Sequence, residues 1–172
     1  MRKATIIVAA IIIITILLFP FINSDKYTES IVLGGEWFLN NQNDNFLYYT
    51  YDFETNKYTG ESHALRETAS LWSVSALSNY LSDPRYKTLA NKGFNYFENY
   101  FYYDQSNDFV ILNITSKKQK LGYSAFMVLT LLESEHPKKQ YYLEKFANGI
   151  IHQQNEDGSF NSYFYSSDLG SQ

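Results

Sequence analysis

No residue from Thr68 to Ser82 carries a charge, whereas the stretch opened by Pro84 carries Arg85, Lys87, Lys92 and Glu98. In the second stretch Tyr86, Leu89, Ala90, Phe94, Phe97 and Phe101 fall at helical spacing, leaving a polar face opposite them. A helix without charge has to be surrounded by protein, and a helix with one polar face meets water on that side. Their alternation predicts an all-α, two-layered assembly of inner and outer helices.

The rest of the chain extends this pattern through short, aromatic, hairpin-like connections. A first helix is predicted from about Tyr27 to Asn41, with Ile31, Val32, Gly35, Phe38 and Leu39 on its apolar side, broken by Asn41-Gln42-Asn43-Asp44-Asn45. Phe46 to Gly60 reads as two extended pieces around Glu54-Thr55-Asn56-Lys57. The second helix runs from about His63 to Leu81 and stops at Asp83-Pro84, because proline disfavours a helical residue before it; Pro84 then opens the third helix. Tyr102 to Asn113 is a second hairpin-like stretch turning at Gln105 to Asp108. A fourth helix covers about Lys120 to Ser134, His136-Pro137 repeats the proline device, and a fifth helix runs from Lys138 to about Gln153. The connections begin near Asn41, Phe101 and Gln153, a period of roughly 50 to 60 residues that fits paired-helix repeats.

Helix pairs joined this way, with Gln154-Asn155-Glu156-Asp157-Gly158-Ser159-Phe160 after an outer helix, resemble the α/α toroids. These comprise the terpenoid-cyclase and prenyltransferase-like folds and the six-hairpin glycosidases with their epimerase and lyase relatives. The cyclases carry a Gln-rich motif with Gly and Trp at this junction, and Phe160 stands here in place of the Trp. Tyr51 to Leu77 is more similar to the sugar-directed toroids of exported and membrane-anchored proteins. The resemblance implies an α/α-toroid-like domain over residues 25–172, with short β-hairpin connections and a glycan or related polymer as ligand. A full toroid needs about a dozen helices. The chain is therefore expected to be a fragment of a toroid, a truncated gene product or one part of an assembly, the last completed by self-association or by a second chain.

Ahead of this domain, Ala4 to Ile22 carries no charge, and about 19 helical residues span roughly 28 Å, close to a bilayer's hydrocarbon thickness. Arg2 and Lys3 precede it while Asp25 and Glu29 follow, so residues 1–24 are expected to form a single transmembrane anchor with a cytoplasmic N-terminus and an extracytoplasmic domain beyond it. The competing reading, a cleaved secretion signal, lacks the Ala-x-Ala pattern, although Ser24 with Ile22 two before it offers a cleavage point. Setting aside Arg2 and Lys3 leaves 12 basic against 18 acidic residues, a net of about −6, which argues against nucleic acid as a partner. Without cysteine the domain has neither disulfides nor thiolate chemistry. Its 16 Tyr and 13 Phe favour an aromatic core and suit sugar or peptide contact. Asn113-Ile114-Thr115 matches the N-glycosylation pattern.

The chemistry concentrates in Ser62 to Trp72. His63 and Glu67 lie four apart on one side of the helix start, with Arg66 at the margin. Leu65, Ala69, Trp72, Ala76 and Tyr80 form an apolar stripe across from them. The functional reading makes Glu67 and Asp52 the paired carboxylates of sugar chemistry, with Tyr51, Glu54, His63 and Arg66 binding the substrate and Arg66 suited to an anionic sugar. The structural reading makes Ser62 the N-cap, Glu67 a dipole partner and Arg66 an ion-pair donor. His136 is expected in an exposed turn, His152 at a helix C-terminus, Asp157-Gly158 in a turn closed by a left-handed glycine, and Asp104, Asn107 and Asp108 in a polar turn. No phosphate-cradling loop, nucleophile elbow or zinc helix is present in the sequence, and no cofactor or metal is expected.

Overall fold

The computed structural model describes residues 27–114 and 118–165, so the predicted membrane segment Ala4–Ile22 and Thr115 of the glycosylation pattern lie outside the described residues. Among the described residues no helix is long and apolar enough to cross a membrane. The chain divides into two compact units, Met1–Trp37 and Phe38–Gln172. Helix α1 covers 27–40, most of which belongs to the first unit, and exposes Tyr27, Leu33 and Trp37.

In the second unit the hairpin β1 (Tyr51–Asp52) and β2 (Lys57–Tyr58) leads into α2 (Ala64–Leu81), which turns into α3 (Pro84–Glu98). The hairpin β3 (Phe101–Asp104) and β4 (Phe109–Leu112) follows, then β5 (Lys118–Lys120), α4 (Leu121–Glu133), α5 (Lys139–His152) and β6 (Tyr163–Tyr165). The strands make separate antiparallel pairs β1–β2, β3–β4 and β5–β6. α2 packs on α4, with α3 behind α2 and α5 behind α4. Leu65 and Gly122 meet near the N-terminal ends of α2 and α4, and Asn79 donates to the Glu133 carbonyl at 2.7 Å near their C-terminal ends, so the two run parallel. These are the inner and outer layers that the charge alternation predicts.

Local chemistry sets the helix ends. Asp83 caps α3 by accepting from the Arg85 N–H at 2.8 Å, and the Arg85 guanidinium bonded to its carboxylate holds that group below its ordinary pKa. The expectation differs from the structure at Phe101, which continues the helical spacing in sequence but opens β3, because α3 ends at Glu98 and the chain turns at Asn99 and Tyr100. α2 buries Thr68, Leu71, Val74 and Ser75 rather than the apolar stripe through Trp72. Thr68 and Ser75 return their hydroxyls to the carbonyls of Ala64 and Leu71, both at 2.9 Å, so these small side chains enter the core without an unmet polar group.

One aromatic and aliphatic core joins Phe46, Leu71, Leu89, Phe97, Val110, Met127, Leu131 and Phe146. α5 closes on β4 at Gly149, where a Cβ would meet the Val110 carbonyl at 3.0 Å. The third connection carries the expected turn, with Gly158 at φ +84° and its N–H donating to the Asn155 carbonyl at 2.9 Å. Asp104, buried, accepts from the backbone of Ser106 and Asn107 at 3.0 Å and organises the β3–β4 turn as a polar turn. His152 ends α5 with its ring 4.9 Å from Phe109. His136 departs from its predicted exposure: its ring lies 4.7 Å from Phe94, and its Nδ1 accepts from the Lys138 N–H at 3.1 Å.

Candidate functional site

The connections entering α2 and α4, together with the chain after α5, deliver the candidate residues to the N-terminal end of the inner layer. At the start of α2 the N-cap is His63, not Ser62, and no side chain of the N-cap residue closes the helix. Glu67 fills that role instead, its Oε1 accepting from the Ser62 hydroxyl at 2.7 Å and from the His63 N–H at 3.0 Å. A carboxylate satisfying N-terminal donors stabilises a helix start through both hydrogen bonding and the helix dipole. Glu67 also lines a cleft of about 190 Å³ with Asn43, Ser62 and Tyr96. Burial first, then a hydrogen bond with Tyr100, pushes the Tyr96 phenol up to about 12, keeping it neutral beside that cleft.

His63 and Arg66 are brought together by a residue the sequence reading missed. The Arg66 Nη1 donates to the Tyr49 hydroxyl at 2.5 Å, its guanidinium carbon stands 5.5 Å from the Tyr49 ring centre, and the His63 ring lies 5.7 Å away on the same tyrosine. Arg66 forms no ion pair among the described residues, contrary to the structural expectation of an acidic loop partner. The His63 Nδ1 is buried without a hydrogen-bond partner there. In a chain with net charge −4, an exposed arginine kept from carboxylates is an open anion or hydroxyl contact. Nothing in the sequence separates Tyr49 from its tyrosine neighbours.

Tyr51, Asp52 and Glu54 stand apart from that group, on the β1–β2 hairpin. No hydrogen bond, ion pair or ring contact among the described residues joins them to His63, Arg66 or Glu67. The Asp52 carboxylate is engaged in its own turn, accepting from the Thr55 hydroxyl at 2.6 Å and the Glu54 N–H at 2.9 Å. The Thr55 hydroxyl bond and then the Glu54 backbone bond lower its pKa, so Asp52 is ionised at neutral pH and unsuited to proton donation. The Tyr51 hydroxyl donates to Asn56 Oδ1 at 2.9 Å, and the Glu54 carboxylate has no partner among the described residues.

A second cleft at this end, about 390 Å³, is lined by Leu65, Lys120, Leu121, Gly122, Phe160 and Tyr163. It joins the first turns of α2 and α4 to the third connection, and Lys118 Nζ sits 4.2 Å over the Tyr163 ring. These residues also escaped the sequence reading, because β5 and β6 pair across two intervening helices. A further groove, about 660 Å³, lies at the opposite helix ends among Ser78, Asn79, Lys87, Asn91, Glu135 and His136. Three of its charged groups are engaged in ion pairs, Lys87 with Glu135 at 2.5 Å and Asp83 with Arg85 outside the groove at 2.8 Å, and it contains none of the residues assigned above to sugar chemistry. The stronger candidate is therefore the mouth above α2: its first turn, with His63, Arg66 and Glu67, and the Tyr49 that His63 and Arg66 share. No group of three or more His, Asp or Glu residues able to hold a metal occurs among the described residues.

No protein-family model matches the chain, and no curated protein matches it. Among solved structures it is similar to cellobiose 2-epimerase from Bacillus thermoamylovorans B4167, with a TM-score of 0.62 at 16% identity. The match covers 80% of this chain and 39% of the epimerase chain, so the chain spans about two fifths of that protein. At this identity the likeness is one of fold, and it is consistent with part of an α/α toroid.

Proposed function

We propose that residues 25–172 form an extracytoplasmic toroid-type domain that binds or acts on a glycan at the mouth above α2, with residues 1–24 as its membrane anchor. The observation that carries this reading is the Tyr49–His63–Arg66 group: an arginine without an ion pair and a buried histidine nitrogen without a partner, among the described residues, share one tyrosine at the start of α2 in a sugar-epimerase-like fold. In this reading Arg66 and His63 contact sugar hydroxyls or a carboxylate, Tyr51 and Glu54 extend the contact, and in the enzymatic form Glu67 is the acid while the ionised Asp52 is the base, brought to it by the substrate they share. A second copy or another chain completes the cavity, an idea supported by the fraction of the epimerase chain that is matched.

A non-catalytic, purely binding domain is favoured by a specific observation: both carboxylates already have structural duties, Asp52 in its turn and Glu67 at the start of α2. The experiment is incubation of the full chain with reducing oligosaccharides, followed by NMR of anomeric and C2 protons. Turnover that Glu67→Gln and Asp52→Asn abolish supports the enzyme, and saccharide binding without turnover supports the binding domain. Absence of both binding and turnover contradicts the proposal. Protease added to intact cells is expected to cut after Ser24 and never before it; the reverse contradicts the assigned topology.

A further inference from the structure

The stretch from Tyr48 to Glu61 contains no Leu, Ile, Val, Met, Ala or Arg, yet it exposes a run of rings. Tyr48 and Tyr58 stack at 4.0 Å with planes 12° apart, Tyr51 meets Tyr58 edge-on at 5.2 Å, and Phe53 meets Tyr51 edge-on at 5.3 Å. Cross-strand pairing sets Tyr51 opposite Tyr58. The Tyr58 hydroxyl is tethered to Asn41 and the Tyr51 hydroxyl to Asn56. Phe53 is 86% exposed, at the turn end of this ladder.

A two-stranded hairpin is marginal on its own, and packing among Tyr48, Tyr51 and Tyr58 stabilises it, whereas the Phe53 ring, left in water, adds little to folding. We infer that this aromatic ladder is a prebuilt docking surface for the pyranose rings of an uncharged glycan chain, lying outside the Tyr49–His63–Arg66 group; the inference rests on the glycan reading above. The C–H face of a pyranose is a weak donor toward the electron-rich face of an aromatic ring, while its equatorial hydroxyls need acceptors at the rim. Glu54, next to Phe53 in the chain and without a side-chain partner among the described residues, supplies such an acceptor. Other occupants fit less well. Asp52, Glu54 and Glu61 against Lys57 make the hairpin acidic, which opposes an anionic bilayer surface and equally a polyuronate. Protein-interface cores are enriched in Met and Arg as well as aromatics, and Tyr48 to Glu61 contains neither Met nor Arg. Because the rings hold one another in place, little side-chain freedom is lost on binding.

Affinity electrophoresis of the full chain in gels cast with barley β-glucan, galactomannan or hydroxyethylcellulose tests this. Retardation is expected in at least one gel, weakened on the order of tenfold by Phe53→Ala or Tyr51→Ala. Circular dichroism of those variants is expected to be unchanged. Retardation lost only in Arg66→Gln overturns the ladder but leaves the glycan reading standing. No retardation in any gel overturns both. Loss of self-association in Phe53→Ala with glycan retention intact identifies the ladder as an interface between copies and also overturns the inference.

Discussion

In the hairpin ahead of α4, every residue of one strand, Phe109 to Leu112, is buried, and α5 closes on it through Gly149. In the hairpin ahead of α2, Tyr51, Lys57 and Tyr58 are exposed and the strands are two residues long. Each precedes an inner helix in the chain, the first α2 and the second α4. The difference lies in side-chain chemistry: Val110, Ile111 and Leu112 make the second hairpin part of the core, whereas rings with polar tips leave the first at the surface. A repeat architecture thus allows one connection to carry stability and another to be released for contact.

That contrast breaks if the two hairpins respond alike to substitution. The largest effect is expected for Ile111→Ala, a fully buried side chain, with a loss of about 2–5 kcal/mol in denaturant melts. Gly149→Val pushes a branched side chain against the Val110 carbonyl and is expected to cost about 1–3 kcal/mol in the same assay. Tyr142→Phe removes the hydrogen bond from the phenol to Glu98 at 2.6 Å, costing about 1 kcal/mol near neutrality. Burial, then the Glu98 bond, raises the Tyr142 pKa from 10.0 to about 12. The stability it contributes is complete below pH 10 and lost as pH rises through about 12, so Tyr142→Phe flattens that part of an alkaline melt. Asp83 and Glu135 behave oppositely: their lowered pKa values give stability that is present above pH 4.5 and lost on acidification, and Asp83→Asn removes the α3 share of that slope. Phe53→Ala, at the tip of the first hairpin, is expected to change stability by no more than about 0.5 kcal/mol.

Much of the helical frame was legible because its signals are local. Asp83-Pro84 marks the start of α3 through a cap and a fixed φ, and the Asp157-Gly158 turn needs only a glycine. The inner helix was harder: Thr68 and Ser75 are buried because their hydroxyls bond within the helix, so a count of apolar positions points to the wrong face. Lys118-Gln119-Lys120 has no strand pattern of its own and becomes β5 only because Tyr163 to Tyr165 returns beside it. His136 reads as a turn residue and is one, but the Phe94 ring half-covers it. At the site, helical spacing pairs His63 with Glu67 and leaves Arg66 at the margin, while Tyr49, which His63 and Arg66 share, is one tyrosine among sixteen. The assignment of the hairpin carboxylates rests on residue type and on their place in the connection before an inner helix, and the turn that engages Asp52 is visible only in three dimensions.

The most direct measurement is isothermal titration of the full chain with the glycan selected by affinity electrophoresis, comparing Arg66→Gln, Phe53→Ala and Tyr103→Ala. Tyr103 is an exposed tyrosine of the second hairpin and serves as the control. The account predicts that Arg66→Gln and Phe53→Ala each weaken binding on the order of tenfold while Tyr103→Ala binds like the parent chain. Equal affinities in all three, or a loss confined to Tyr103→Ala, would contradict it.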